Sequence, residues 1–179
     1  MSNTVIDIWF TADTHFGHAN ILKFKREDGS PVRTFSDVEE MDEIMIERWN
    51  AVVKPGDTVW HLGDVFFRDG ARHLSRLHGV KSLILGNHDT PDSIHLRQHF
   101  GSPLIWKRFS DWGFIATHFP LHDSDFNLQQ GLINVHGHIH EKPAPTDRHR
   151  NIGVERTDYR PVHLDEIIAS IASGKDFEV

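Results

Sequence analysis

Pairs of residues that commonly bind metal ions recur at a spacing of two along this chain. Asp13 and His15 follow one apolar run, and His138 and His140 follow another. Because residues two apart in an extended segment point the same way, each pair directs its side chains towards one point. Converging carboxylate and imidazole groups are typical of a metal-chelating site. His136 lies on the same face as the second pair, so spacing alone leaves open which two of these three histidines coordinate.

Three further polar clusters stand where short strands are predicted to end. Gly63 and Asp64 follow one strand, residues 86–89 read Gly-Asn-His-Asp after the next, and His118 ends a third. Glycine permits a sharp turn at a strand exit, and loops after strands are where α/β folds usually place ligands and catalysis. Taken singly, each cluster has an ordinary explanation, since Gly-Asp and Gly-Asn are common in turns. Together they favour a metal site.

The elements that must position these residues alternate between short β-rich runs and amphipathic helical stretches, which predicts an α/β fold. Ser36 and Glu39 have the spacing of a capping box, and apolar residues recur after them at helical intervals. The predicted strands are Val5–Thr11, Thr58–Leu62, Ser82–Leu85, Trp112–His118, Leu132–His136 and Ile152–Glu155, and the predicted helices are Ser36–Val53 and Leu164–Ser173.

Composition indicates an ordinary soluble globular protein, and we expect one domain over residues 1–179. The first apolar stretch is too short and too polar for a membrane span or a signal segment, so no membrane association is expected. Because the chain has no cysteine, a metal site must use imidazole, carboxylate, amide and water ligands. The lack of cysteine also favours a cytoplasmic location.

The charge balance bears on possible partners. The formal net charge is −7, which argues against a broad basic surface for duplex nucleic acid. The chain nevertheless contains 15 histidines, and histidine is both the commonest metal ligand and the usual acid or base near neutral pH. Any contact with nucleic acid must therefore be local. The count of histidines alone leaves chance surface residues as an alternative, and their positions decide between the two explanations.

Taken in order, the clusters between Asp13 and His140 resemble the signature of the calcineurin-like metallophosphoesterase superfamily: Asp-x-His, Gly-Asp, Gly-Asn-His-Asp, His and Gly-His-x-His. Each block is weak by itself, but the complete set is specific. The run from Asp13 to His18 resembles small bacterial and phage phosphoesterases in particular. The resemblance implies a two-layer β-sandwich flanked by helices, with a metal site at one edge formed by strand-exit loops.

The resemblance also implies two divalent metal ions that share one bridging carboxylate, Asp64. An all-nitrogen-and-oxygen donor set suits Mn, Fe, Zn or Ni, and Mn is the expected metal in assays. The implied ligands are Asp13, His15, Asp64 and His140 for one metal, and Asp64, Asn87, His118 and His138 for the other.

Two such cations, about 3.5 to 4 Å apart, share a water and activate it for in-line attack on a phosphate ester. By resemblance, His88 serves as general acid for the leaving alkoxide or as a charge stabiliser, and Asp89 orients its ring. His18, Arg148 and Arg150 are candidates for contacts with the substrate phosphate, because Arg offers bidentate contacts to its oxygens. The alternative for His18 is an ordinary surface histidine, and the alternative for Arg148 and Arg150 is a solvated charged face.

The predicted function is metal-dependent hydrolysis of a phosphate ester, with a phosphodiesterase favoured and a nucleotide-like substrate in view. Alternatives are a phosphomonoesterase or nucleotide pyrophosphohydrolase, a nuclease, and a non-catalytic scaffold. The chain shows no additional basic domain of the kind a nuclease of this superfamily usually carries. Scaffolds of the superfamily generally lose ligands or the histidine at the position of His88, and here every block is intact.

Overall fold

The computed structural model describes residues 6–124 and 131–178, which contain two four-stranded sheets with helices. The strands are β1 (Ile8–Thr11), β2 (Thr58–His61), β3 (Val80–Leu83), β4 (Trp106–Phe109), β5 (Phe114–Thr117), β6 (Ile133–His136), β7 (His149–Asn151) and β8 (Val162–His163). The α-helices are α1 (Val38–Val52), α2 (Ile94–Phe100) and α3 (Leu164–Ser173), and 3₁₀ helices cover Ala19–Lys23, Arg68–Arg76, Ser110–Trp112 and Val154–Arg156.

Each sheet has three parallel strands and one antiparallel edge strand. The first has the order β3-β2-β1-β8, with β8 antiparallel to β1. The second has the order β4-β5-β6-β7, with β4 antiparallel to β5. Parallel strands of one sheet end at the same edge, so the loops after β1, β2 and β3 gather in one place. The loops after β5 and β6 gather at the corresponding edge of the second sheet.

The two sheets bury a shared apolar core between them. Phe10 on β1 and Val162 on β8 belong to one buried cluster with Phe114 on β5 and Val135 on β6. Along β1, alternate side chains point to opposite faces, so Phe10 enters this core while Trp9 faces the other way. The predicted sandwich is therefore confirmed.

A layer of helices covers the outer face of the first sheet. Met45 and Trp49 on α1 and Phe100 on α2 pack in one buried cluster with Val59 on β2 and Leu83 on β3. The apolar residues of α1 lie on one face of the helix, as the helical spacing predicts. Within residues 6–124 and 131–178, none of the helices has the length and apolar character that a membrane crossing requires.

Several predicted boundaries differ from the structure. The first strand begins at Ile8, and Val5 lies outside the described residues. The strand predicted at Ile152–Glu155 is wrong. The nearest strand, β7, ends before it at Asn151, and Val154–Arg156 form a 3₁₀ helix. Ile152 and Val154 are both buried but belong to different apolar clusters, and Gly153 between them makes a parallel bridge to Ala12.

The N-terminus of α1 is capped by Asp37 rather than by Ser36. The Asp37 carboxylate accepts the Glu40 main-chain N–H at 2.8 Å, and the Glu40 carboxylate accepts the Ser36 main-chain N–H at 2.6 Å. The Glu40 carboxylate thus reaches the residue before the N-cap, whereas in a capping box it would accept from the N-cap itself. The predicted pair of Ser36 and Glu39 is replaced by Asp37 and Glu40.

Replacing Asp37 with Ala should lower the free energy of unfolding by about 1 kcal/mol, because an N-terminal N–H of α1 loses its acceptor. Urea denaturation followed by circular dichroism measures this change. Asp37→Ser, which keeps a capping oxygen, should lose much less. Equal losses in the two variants would show that the cap contributes little here.

Candidate metal centre

The strand-exit loops bring the seven predicted ligands to one edge of the sandwich. Two groups of ligand atoms each lie within 4.8 Å of one another: Asp13, His15 and His140 form the first group, and Asp64, His118 and His138 form the second. Asp64 Oδ2 lies 3.6 Å from His15 Nε2 and 3.4 Å from His118 Nε2, so it stands between the groups. Asn87 Oδ1 lies 3.0 Å from His118 Nε2.

Five of these residues have left-handed backbone conformations. The φ angles are 59° at Asp13, 51° at His15, 58° at Asp64, 71° at His138 and 52° at His140. The convergence predicted from an extended chain therefore has a different cause, since each pair lies beyond its strand and turns sharply at both members. Left-handed non-glycine residues carry conformational strain and persist only where the surrounding structure holds them.

The structure separates His136 from the two histidines that follow it. His136 is the last residue of β6 and is fully buried, and its Nδ1–H donates to the Gly137 carbonyl at 2.8 Å. Burial lowers its pKa to about 4. His138 and His140 instead join the two ligand groups. The left-handed turn at His138, directly after Gly137, thus brings His138 and His140, and not His136, to the ligand groups.

Each ligand carboxylate uses one oxygen to hold the opposite loop. Asp13 Oδ2 accepts the His138 main-chain N–H at 2.8 Å, and Asp64 Oδ1 accepts the His88 main-chain N–H at 2.9 Å. The approach is so close that a Cβ at Gly86 would lie 2.1 Å from Asp64 Oδ1. Glycine is therefore required there, and the second oxygen of each carboxylate stays directed into the site.

The remaining polar atoms fit a divalent cation. Asp13 Oδ1 and both ring nitrogens of His15 are buried without a hydrogen-bond partner in the described part of the chain. Burial raises the pKa of Asp13 to about 7, and burial followed by the charge of Arg33 lowers the pKa of His15. Unpartnered buried polar groups are costly, and a bound cation would satisfy those that face it.

The ring of His140 is oriented by a buried ion pair that sequence analysis does not predict. Its Nδ1–H donates to Glu155 Oε1 at 2.9 Å, which leaves Nε2 for a metal. Glu155 in turn pairs with Arg33 at 2.7 Å, and both side chains are buried. Although burial acts to raise the pKa of Glu155, Arg33 and His140 hold it at about 2.

Arg33 also fixes the first ligand loop directly. Its guanidinium donates to the carbonyl oxygens of Asp13 at 2.6 Å and of Thr14 at 3.0 Å. These donors secure the strained turn at Asp13, while Glu155 balances the charge of the guanidinium. No local pattern marks either residue, because Arg33 and Glu155 are 122 positions apart.

His118 and His61 are oriented by main-chain and hydroxyl groups. His118 Nδ1–H donates to the Leu62 carbonyl at 2.8 Å, so its Nε2 faces Asp64 and Asn87. The Thr14 hydroxyl donates to the Val65 carbonyl at 2.8 Å, so His61 Nε2–H must donate to Thr14 Oγ1 at 2.9 Å. Burial lowers the pKa of His61 to about 3, in agreement with a neutral ring. His61, to which the sequence assigns no role, thereby joins the first two ligand loops.

Asp89 holds the second and third loops together. Its carboxylate accepts main-chain N–H groups from Asp64 at 2.8 Å, Gly86 at 2.8 Å and Val65 at 3.0 Å. This differs from the prediction that Asp89 orients the His88 ring, because both oxygens are engaged by backbone donors. Asp89 is therefore a positioning residue, and burial raises its pKa.

His88 lies at the exposed mouth of the site. Its ring centroid is 5.8 Å from that of His15 and 5.0 Å from that of Phe67. The His18 ring stacks on that of Phe67, with ring centroids 4.0 Å apart, and lines a pocket of about 320 Å³ with Phe67 and Arg68. Both histidine side chains are therefore at least partly open to solvent.

Arg148 and Arg150, the two arginines predicted to contact the substrate, lie in different surroundings from His18. Arg150 is buried on β7, and its guanidinium donates to the carbonyls of Asp147, His149 and Ser170. That side chain ties α3 to the second sheet, so its position does not favour substrate contact. Arg148 precedes β7, and its carbonyl accepts the N–H of Asn134 at 2.8 Å. Arg68, which sequence analysis does not single out, is exposed beside His18.

Sequence comparison with known proteins shows which family the chain belongs to. The sequence model of the calcineurin-like phosphoesterase family matches residues 6–176. The chain is 34% identical over 180 residues to an uncharacterized protein of Methanocaldococcus jannaschii, covering 94% of this chain and 93% of that one. It is 32% identical over 182 residues to the Gene 66 protein of Mycobacterium phage L5, covering 83% and 82%.

A solved structure has the same fold. The crystal structure of a protein of unknown function from Aquifex aeolicus superposes with a TM-score of 0.70 at 25% sequence identity, covering 91% of this chain and 98% of that chain. The family match spans all the strand-exit loops that carry the ligand groups. The chain therefore belongs to the calcineurin-like phosphoesterase family, whose members are metal-dependent hydrolases of phosphate esters.

Proposed function

We propose that this protein is a phosphodiesterase that uses two divalent metal ions. The observation that carries the proposal is the pair of ligand groups on either side of Asp64 Oδ2. When bound, two cations would supply charge that offsets the anionic phosphate and would make a water acidic enough to serve as nucleophile. Mn is the metal we propose for assays, because the donors are nitrogen and oxygen atoms without thiolates.

The protein side chains supply orientation and proton transfer. Glu155 and the Leu62 carbonyl fix the tautomers of His140 and His118, so each presents Nε2 to the site. His88 is exposed at the mouth, where it is placed to donate a proton to the leaving oxygen or to stabilise its charge. His18 and Arg68 line the same side and offer donors to phosphate oxygens.

The shape of the cleft favours a diester over a monoester. A pocket of about 400 Å³ includes His118 on one side of the ligand groups, and one of about 460 Å³ includes His138 and His140 on another. A diester carries two organic groups, and these pockets provide space for both. The intact His88 and ligand set favour catalysis over a scaffold role, and the net charge of −7 disfavours a duplex nuclease.

Protein stripped of metal by a chelator should not hydrolyse bis-p-nitrophenyl phosphate, and added Mn²⁺ should restore cleavage. We expect faster release of p-nitrophenol from this diester than from p-nitrophenyl phosphate, as absorbance at saturating metal would measure. Mg, Zn, Ni and Fe are compared in parallel, and Asp64→Asn serves as the inactive control. Activity that persists without metal, or in Asp64→Asn, would contradict the two-metal proposal.

Replacing His88 with Ala should lower kcat by about 10²- to 10⁴-fold, the usual contribution of a general acid. Metal content, measured by elemental analysis, should stay unchanged, because the His88 ring belongs to neither ligand group. His95→Ala, another exposed histidine, is the matched control and should keep full activity. Parallel loss of metal and activity in His88→Ala would instead identify His88 as a ligand.

Replacing Glu155 with Gln should weaken metal affinity about 10- to 100-fold, since the carboxylate that orients His140 is lost. The matched control is Glu166→Gln, which removes a carboxylate that is paired with Arg160 and belongs to neither ligand group. Mn²⁺ affinity is measured by calorimetry on variants whose circular dichroism matches that of the parent protein. An unchanged affinity in folded Glu155→Gln would show that ring orientation does not depend on this pair.

A further inference from the structure

A largely apolar pocket lies beside the second ligand group. It has a volume of about 400 Å³ and is lined by Ile105, Trp106, Phe119 and Leu121 together with the ligand His118. This size is in the range of pockets that bind small organic molecules. The hydrolytic chemistry proposed above uses none of its apolar side chains.

The pocket forms where the two sheets meet. The Leu85 N–H donates to the Leu104 carbonyl at 2.8 Å, which joins the segment after β3 to the segment before β4. In the next sheet, the β4–β5 register places Trp106 opposite Thr117, the residue before His118. The apolar wall is therefore fixed to the same strands that carry the ligands.

Three large apolar side chains of this pocket are exposed. The exposed fractions are 69% for Ile105, 46% for Trp106 and 47% for Phe119. Single exposed apolar residues are common, but a group of them in a concave site beside polar catalytic groups is typical of ligand binding. Burial of this surface by a ligand would be favourable.

Phe119 connects the pocket to the ligand groups. Its ring centroid lies 4.9 Å from that of His118 and 4.5 Å from that of His138. An occupant that touches Phe119 is therefore close enough to the second ligand group to be covalently joined to a phosphate there. One substituent of a phosphate bound at this group would therefore extend into the pocket.

We propose that the pocket binds the nucleobase of a nucleotide ester whose phosphate lies at the metal centre, an inference that rests on the proposed function. Trp106 and Phe119 offer aromatic faces, which stack on planar bases independently of their sequence. The pocket is large enough for a fused ring and its sugar. The pocket on the other side contains Lys25 and Lys142 and suits an anionic group better than a base.

The test compares binding of AMP and ribose 5-phosphate, which differ only in the adenine. With Mn²⁺-loaded protein in a calorimeter, AMP should bind about 5- to 150-fold more tightly, the range for one stacked base. Trp106→Ala and Phe119→Ala should each remove most of this preference while affinity for ribose 5-phosphate stays unchanged. Trp106→Phe should retain part of it, and Ile168→Ala, an exposed apolar residue on α3, should retain all of it.

Equal affinity for AMP and ribose 5-phosphate would overturn the inference, as would a preference that survives in both alanine variants. Phenyl phosphate is the third ligand. If it binds as tightly as AMP, the pocket requires only a single aromatic ring and not a nucleobase. Because binding is read without hydrolysis, the two proposals fail separately. A protein that prefers AMP but cleaves no ester refutes only the proposed function, and one that cleaves esters without the preference refutes only the nucleobase pocket.

Discussion

Burial of the ligand side chains is the constraint on which the rest of the site depends. Asp13 is fully buried, and its pKa is raised to about 7 because no solvent stabilises its charge. One of its oxygens accepts a main-chain N–H from the His138 loop, and the other has no partner among the described residues. Burying a charge in this way is unfavourable unless a counter-charge is present. A divalent cation provides that counter-charge, so the same desolvation that destabilises the empty cluster favours metal binding.

The loops that carry the ligands hold strained conformations because hydrogen bonds, most of them from another part of the chain, secure them. Asp89 gathers three main-chain N–H groups from the Asp64 and Gly86 loops, and the guanidinium of Arg33 binds the carbonyls of Asp13 and Thr14. These contacts stabilise turns that isolated Asp and His residues would rarely adopt. Several buried polar residues therefore fix the positions of backbone atoms, and the directions of the ligand side chains follow from those positions.

Periodicity predicts only an α/β fold, and the sandwich follows from the resemblance to the family. The set of gathered residues is predicted because they are clustered within a few positions of each strand exit. It fails where a role depends on distant or main-chain contacts. Arg33 and Glu155 have no common local pattern, and their pairing is visible only once β1 and the turn after β7 are adjacent. Asp89 looks like a partner for its neighbour His88, yet backbone donors from another loop occupy both oxygens. From the sequence, Arg150 is expected to be an exposed cation after the last motif. In the structure it is buried, and its guanidinium donates to the Ser170 carbonyl on α3.

The distribution of ligands between the sheets couples metal binding to the fold. Loops of the first sheet supply Asp13, His15 and Asp64, and loops of the second supply His118, His138 and His140. Each ligand group contains members from both sheets, so a cation in either group would link one sheet to the other. A ligand that binds only the native state stabilises that state. Because the apolar pocket lies at the same seam, between the end of β3 and the start of β4, its shape depends on how the sheets are held together. Metal binding and the geometry of the apolar pocket are therefore linked through sheet packing.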